Sequence, residues 1–208
     1  MVRPLDVATQ GAIRDRSRII PRDFVLFTIT ENETVSRFGF TNIGEDVITN
    51  VVVNGVGAVE SHTFYGDNAS IQAMDAIPLK IGLSVDTVQL KLNPLHPVVQ
   101  LMARGHEIGL RTARVQVFRG LLDPNSMLLV GNPRSRMLGQ VNGAPETVAA
   151  AGGQSVRTIK IVSHTREMTR TNSAKKSDET YRQRNGDRFG RYAGTAAQWE
   201  LWWGENRT

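Results

Sequence analysis

DFVLFTIT, Asp23–Thr30, is the strongest strand signal in the chain and decides how the rest is read. Aromatic and β-branched residues fit a pleated surface. Successive side chains alternate between the two faces of a strand, so Phe24, Leu26, Thr28 and Thr30 oppose Val25, Phe27 and Ile29. Both sets are substantially apolar, which predicts a central strand covered on both sides. Working outward, Glu31-Asn32-Glu33 reads as a turn and Val35–Thr41 as the partner strand. Asn42–Asp46 reads as a second turn, and Val47–Val53 as a strand. Asn54-Gly55 then gives a hairpin signal of the kind that wants positive φ. Val56–Phe64 is a weaker strand and Tyr65–Gln72 a polar loop. Short strands spaced by roughly ten residues are the pattern of an all-β domain.

The same grammar continues. Leu79–Leu92 reads as two strands, and in the second Val88, Leu90 and Leu92 form the inward face. Pro94–Ala103 (PLHPVVQLMA) is a short helix with proline in its first turn; Val98, Leu101 and Met102 share a face, and Gly105 ends it. Arg111–Arg119 alternates again, Ala113, Val115 and Val117 inward, Arg114, Gln116 and Phe118 outward. Met127–Val130 follows a turn at Asp123-Pro124-Asn125. Met137–Val141 and Glu146–Ala151 are short segments, and Ser155–Ser163 is a clear strand. Ahead of everything, Leu5, Ala8, Ala12 and Ile13 lie near one helical stripe. Residues 1–22 therefore read as an N-terminal arm or short helix and 23–208 as the β-rich domain; a division into two small β subdomains, if there is one, falls near 131–154.

Composition sets the limits. At 208 residues, 40% hydrophobic and 22% charged, the chain is ordinary for a globular domain that buries a core. It has no cysteine, which excludes disulfides, thiol catalysis and cysteine-held metal. The first twenty residues lack the apolar core of a signal peptide, and no run reaches the length of a bilayer span, so synthesis in a cytoplasm and no membrane partner are expected. The charge is local. Between Arg157 and Arg191 ten cations stand against four carboxylates, an excess of six, whereas the whole chain carries +5. The remainder is near neutral, unlike a nucleic-acid binder with cations spread over a face.

Catalytic constellations are missing. There is no Gly-x-Ser-x-Gly elbow, phosphate-cradling P-loop or dinucleotide fingerprint. His62, His96, His106 and His164 are scattered and read as isolated surface or turn histidines; His106-Glu107 lacks the second His of a zinc protease. Asp67, Asp75 and Asp86 read as turn residues. No catalytic residue, cofactor or metal site is expected.

The last thirty residues have a different grammar. Ser177 is a candidate N-cap, Tyr181 and Arg184 fall on one side of a short helix, and Asn185-Gly186 supplies a left-handed stop. Arg182, Arg184, Arg188, Phe189, Arg191 and Tyr192 then mix cations with rings, and all three tryptophans, Trp199, Trp202 and Trp203, close the chain. The basic-aromatic part fits a solvated loop, a subunit interface with Arg forks on acidic neighbours, or single-strand nucleic-acid stacking through Tyr181, Phe189 and Tyr192. As a strand, Gln198–Trp203 sends Trp199 and Trp203 to one face as a candidate core lid, and Trp202 to the other as a candidate contact.

Ser177-Asp178, then Gly186-Asp187, then Tyr192, then Trp203-Gly204 resembles the C-terminal signature of the first domain of tail-tip and baseplate hub proteins of long-tailed bacteriophages. Val88-Leu90-Leu92 followed by Arg111–Gly120 is similar, more loosely, to that family's mid-domain pattern. The resemblance implies a β-barrel or sandwich with one short mid-chain helix and a small C-terminal helical insertion. It also implies a structural, non-enzymatic virion component at the distal tail tip. Such a protein would form a homo-oligomeric ring, three-fold as a hub or six-fold as a distal-tail ring, and would link the tube to tip or fibre proteins. Longer hub relatives carry a cysteine-bearing iron–sulfur module; with no cysteine here, no cluster is carried over. A nucleic-acid-binding β-barrel using the basic-aromatic segment is the alternative.

Overall fold

The computed structural model describes residues 7–14, 18–53, 59–78, 84–151, 153, 155–169 and 177–192. It divides into two compact units, Met1–Met168 and Thr169–Thr208. Helix α1 (Val7–Arg14) precedes strands β1 (Ile20–Glu31), β2 (Thr34–Thr41), β3 (Val47–Val52), β4 (Val59–Tyr65), β5 (Ile71–Met74) and β6 (Thr87–Leu92). Helices α2 (Pro97–Gly105) and α3 (Glu107–Leu110) follow. After them come β7 (Arg114–Leu122), β8 (Arg134–Gly143), β9 (Glu146–Thr147), β10 (Val156–Ser163) and α4 (Thr165–Thr169). The second unit contributes α5 (Asp178–Arg182). The mainly β expectation holds.

The ten strands form one sheet in the order β3-β4-β2-β1-β7-β8-β10-β6-β5, with β9 beside β10. β1 is central, as its two apolar faces require. It pairs antiparallel with β2 from Phe24↔Thr41 to Glu31↔Thr34, and with β7 on the other side. Asn32 (φ 46°) and Glu33 (φ 66°) make the two-residue turn between β1 and β2. Two consecutive positive φ values match the twist of the flanking strands. Among the described residues, one pairing is parallel, joining β2 to β4 at Gly39↔Phe64 and Phe40↔Tyr65. A Cβ on Gly39 would lie 2.5 Å from the Thr63 carbonyl oxygen, so glycine is needed where these strands approach.

Two cores lie on opposite faces of β1. The larger gathers Val25, Phe27, Ile29 and Phe40 with Leu90, Leu92, Val115, Val117, Ile159 and Ile161, and with Val99 and Met102 of α2. Strands far apart in the sheet order reach this one cluster, so the sheet curls around α2. Register shifts at Val117/Phe118 and Lys160/Ile161 supply local bends. The smaller core packs Phe24, Leu26 and Phe118 against Val51, Val53 and Phe64.

That second core corrects the alternation expected for β7. Gln116 and Phe118 are buried rather than outward, because β3 and β4 cover the side of β7 that a one-faced sheet would leave to water. Gln116 satisfies its amide by donating to the Val52 carbonyl (3.0 Å) and Ser135 Oγ (3.1 Å). The helix in 94–103 forms, but its phase differs. Val99, Met102 and Ala103 are buried while Leu101 is 59% exposed. Met137–Val141 lies within a ten-residue strand, β8. Met127–Val130 contributes only an isolated bridge, Leu122↔Leu129. The Asn54-Gly55 turn, Leu79–Leu83 and Trp199–Trp203 lie outside the described residues.

Tyr65–Gln72, read as a polar loop, is tied into its own fold. The buried Ser70 hydroxyl donates to the carbonyls of Tyr65 (2.6 Å) and Thr41 (3.2 Å), and Asp46 accepts from the Gly66 N–H.

Candidate functional site

Residues 177–192 carry the described part of the sequence-selected surface. The Ser177 hydroxyl oxygen accepts from the Thr180 N–H, capping α5 as its spacing predicts. Asn185 (φ 52°) and Gly186 (φ 73°) take the left-handed stop. No residue of α5 is buried, and among the described residues a cap, ion pairs and turn bonds hold this turn of helix. Gly190 packs against its start, where a Cβ would come within 2.9 Å of the Asp178 nitrogen. Asp187 accepts from the Phe189 N–H (2.9 Å), a turn role.

The four arginines of this segment separate into two kinds. Arg182 pairs with Glu179 (3.1 Å) and Arg188 with Asp178 (2.9 Å), so their charge is answered locally. Arg184 lies 5.8 Å over the Tyr181 ring and Arg191 5.4 Å over the Tyr192 ring. Neither has a carboxylate partner among the described residues. Phe189 meets Tyr181 edge-on at 6.1 Å, yet is 86% exposed, and Tyr192 is 67% exposed. The segment thus presents two ring-braced cations and two bare aromatic surfaces. Trp199, Trp202 and Trp203 fall outside the described residues.

The first unit holds polar clusters that sequence reading missed. His96, expected as a surface or turn residue, is 2% exposed. Its Nδ1 accepts from the Val98 N–H (3.2 Å), capping α2. That leaves the proton on Nε2, which donates to Asp67 Oδ1 at 2.6 Å. Phe40 and Tyr65 flank the imidazole at 6.3 Å each. The signal available in sequence was His96 immediately before Pro97, the cap position ahead of a first-turn proline. His106 Nδ1 lies 2.8 Å from Glu31 Oε2, while Glu31 Oε1 accepts from the Gly109 N–H (2.7 Å). The His106 hydrogen bond, then that of Gly109, holds the Glu31 carboxyl below the usual carboxylate range. Asp123 is lowered likewise, first by the Ser126 hydroxyl and then by the Asn125 N–H.

A cleft of about 730 Å³ opens between the α2–α3 corner and the β8–β10 end, with Arg104, Glu107, Arg111, Glu146 and Arg157 on its walls. Glu107 pairs with Arg111 and Glu146 with Arg157. Both carboxylates therefore accept from guanidinium groups on the cleft wall. Among the described residues, no group of three or more His, Asp or Glu side chains is placed to hold a metal ion, and no helix is long and apolar enough to cross a membrane.

No protein-family model matches the chain, and no curated protein matches it. Among solved structures, a chain from the virion of a native gene transfer agent particle is similar, at 16% identity and a TM-score of 0.49. The match covers 83% of this chain and 50% of that one, so the chain spans about half the length of that structure. A likeness of this depth says nothing about role.

Proposed function

We propose that the chain is a structural subunit of a tailed-phage virion, a ring-forming hub at the distal tail tip that joins the tube to tip or fibre proteins. The observation carrying this reading is the conformation of residues 177–192, where the Ser-Asp…Gly-Asp…Tyr signature lies. Ser177 caps, Asp178 holds Arg188, Asp187 closes the turn, and Phe189 and Tyr192 stay outside. Each signature residue serves to display aromatic and cationic surface, the composition enriched where proteins meet. The contact set is Arg182, Arg184, Arg188, Phe189, Arg191, Tyr192 and Trp202, with Trp199 and Trp203 as a lid on the core. Within it Arg184 and Arg191 are the cations offered to an acidic neighbour, while Arg182 and Arg188 shape the display.

A hub of this kind assembles as a head-to-tail ring, three-fold in this reading, made in the host cytoplasm and carried in the particle. Mass spectrometry of purified virions, with electron microscopy of a deletion, tests the proposal. The protein is expected in the tail fraction, with tails truncated or lacking a tip in the deletion. Normal tails without the protein would refute it. Salt-dependent nucleic-acid binding that is lost in an Arg184→Glu, Arg191→Glu double variant would favour a nucleic-acid module instead.

A further inference from the structure

We propose that the cleft between the α2–α3 corner and the β8–β10 end binds a carboxylate carried on an organic body, with Arg104 as the group that grips it. The cleft holds about 730 Å³, and its described lining belongs to the first unit. Cavities of roughly 300–1,000 Å³ are the size that takes small ligands. Its charged walls are Arg104, Arg111 and Arg157 against Glu107 and Glu146. Two of these cations are already answered: Arg111 pairs with Glu107 at 3.3 Å, and Arg157 pairs with Glu146. Arg104, exposed in the last turn of α2, has no carboxylate partner among the described residues. Three guanidinium groups against two carboxylates leave one positive charge on the cleft walls.

Arg157 gives a second, independent reason to expect an anion. Its side chain is only 15% exposed, and its Nε–H is sealed from water with no acceptor among the described residues. A buried cation is costly unless its donors are matched. Its carboxylate partner, Glu146, is 35% exposed and shared with solvent. The compensation of Arg157 is therefore incomplete, and an anion in the cleft improves it. The sealed nitrogen is out of a ligand's reach, so the ligand answers the charge of the whole group, not this one N–H.

The charge count selects the ligand. One unanswered cation balances one monoanion, while Glu107 and Glu146 on the same walls repel a phosphate dianion or a run of phosphodiesters. A guanidinium fork matches the two oxygens of a carboxylate in its plane. A bare carboxylate fills little of 730 Å³, and Ala103, Leu110 and Ala144 supply apolar wall for the carbon atoms behind it. The carboxylate thus arrives either on a free organic acid or on an acidic residue of a peptide. The site does not depend on the virion reading.

Side-chain NMR of the full chain, following the Nε–H signals of Arg104 and Arg157, tests the assignment. N-acetylglycine stands for the free acid, the blocked peptide acetyl-Ala-Glu-Ala-amide for the peptide, and inorganic phosphate for the competing anion, all at one ionic strength. At least one carboxylate probe is expected to move both signals saturably and to bind about tenfold or more tighter than phosphate. Tighter binding of N-acetylglycine makes the ligand a small acid; tighter binding of the peptide makes it an acidic segment of another protein. Arg104→Gln should weaken binding about tenfold or more, read at Arg157. Arg104→Lys should fall in between, because it keeps the charge and loses the fork. The thermal melt of both variants should hold, since the side chain is exposed. Glu107→Gln raises the excess from one positive charge to two, and phosphate should gain affinity. Shifts that never saturate overturn the proposal, as does phosphate binding as tightly as the better carboxylate probe, or an Arg104→Gln variant that binds like wild type. A chain absent from virions that still binds a carboxylate probe supports the site and removes the virion reading. A tail protein that binds neither probe does the reverse.

Discussion

Phe118 and Phe189 each meet another aromatic ring edge-on, at 6.4 Å from Phe64 and 6.1 Å from Tyr181, with interplanar angles of 78° and 87°. The pair geometry is nearly the same and the surroundings are opposite. Phe118 is fully buried between β1 and β4, whereas Phe189 is 86% exposed beside α5. Ring geometry of this kind adds about 0.5–1.5 kcal/mol beyond burial, so burial is what separates the two. The sheet is held by apolar area removed from water. Among the described residues, the 177–192 segment is held by a cap, two ion pairs and turn bonds, each small. A region held by small local terms can keep its rings outside, which is what a contact surface requires.

The comparison can be broken at its buried end first. Phe118→Ala should cost about 3–5 kcal/mol, the range for a large ring deleted from a packed core, read as a fall in the urea midpoint. A loss below about 1 kcal/mol, the level of an ordinary surface change, would mean the second core is not packed as described. Next, His96→Ala removes the α2 cap and the donor to Asp67, and should cost about 2 kcal/mol. Unchanged stability would show that neither the cap nor the bond to Asp67 contributes to holding the fold.

Glu31 sharpens the picture through pH. Its folded carboxyl titrates below the ordinary value of 4.5, because His106 and Gly109 bond its charged form. Stability from this group is therefore present above pH 4.5 and is lost as pH falls from there through the lower folded value. Glu31→Gln should be less stable than wild type at pH 7 and lose less on acidification. Parallel acid curves for the two proteins would assign the slope elsewhere, with Asp123 the next carboxylate to examine.

At the exposed end the effects shrink. Ser177→Ala should loosen α5 by about 1 kcal/mol, seen as roughly fivefold faster hydrogen exchange at Thr180 and Tyr181. Phe189→Ala should change the melting of the free protein by no more than about 0.5 kcal/mol. A large loss there would make Phe189 a core residue and remove the contrast with Phe118.

Much of this was legible along the chain. DFVLFTIT announced a central strand because both of its alternating sets are apolar. Val88, Leu90 and Leu92 face inward as their alternation requires, and Ser177 and Asn185-Gly186 bracket α5 because caps and left-handed stops are local events. The errors share a cause. Gln116 and Phe118 were assigned to water because one strand cannot reveal that β3 and β4, some sixty residues earlier in the sequence, lie over it. Leu101 was grouped with Val98 and Met102 on one helical face; Met102 and Val98 do pack on the core while Leu101 is exposed, because helical spacing defines a stripe but not which way it turns. His96 and Asp67 are 29 residues apart, and nothing in either neighbourhood announces the other.

By itself, the order of residues determined the β-rich class, the main strands, the capped helix near the end, and a basic excess confined to the last quarter of the chain. Those features rest on interactions within a few residues: alternation, turn chemistry and caps. Tertiary structure alone decided that the sheet has two cores, that His96 sits inside beside Asp67, that Arg184 and Arg191 differ from Arg182 and Arg188, and that Arg104, Arg111 and Arg157 share one cleft. Burial and pairing are properties of what lies across a gap in space, and a linear pattern does not say who stands on the other side.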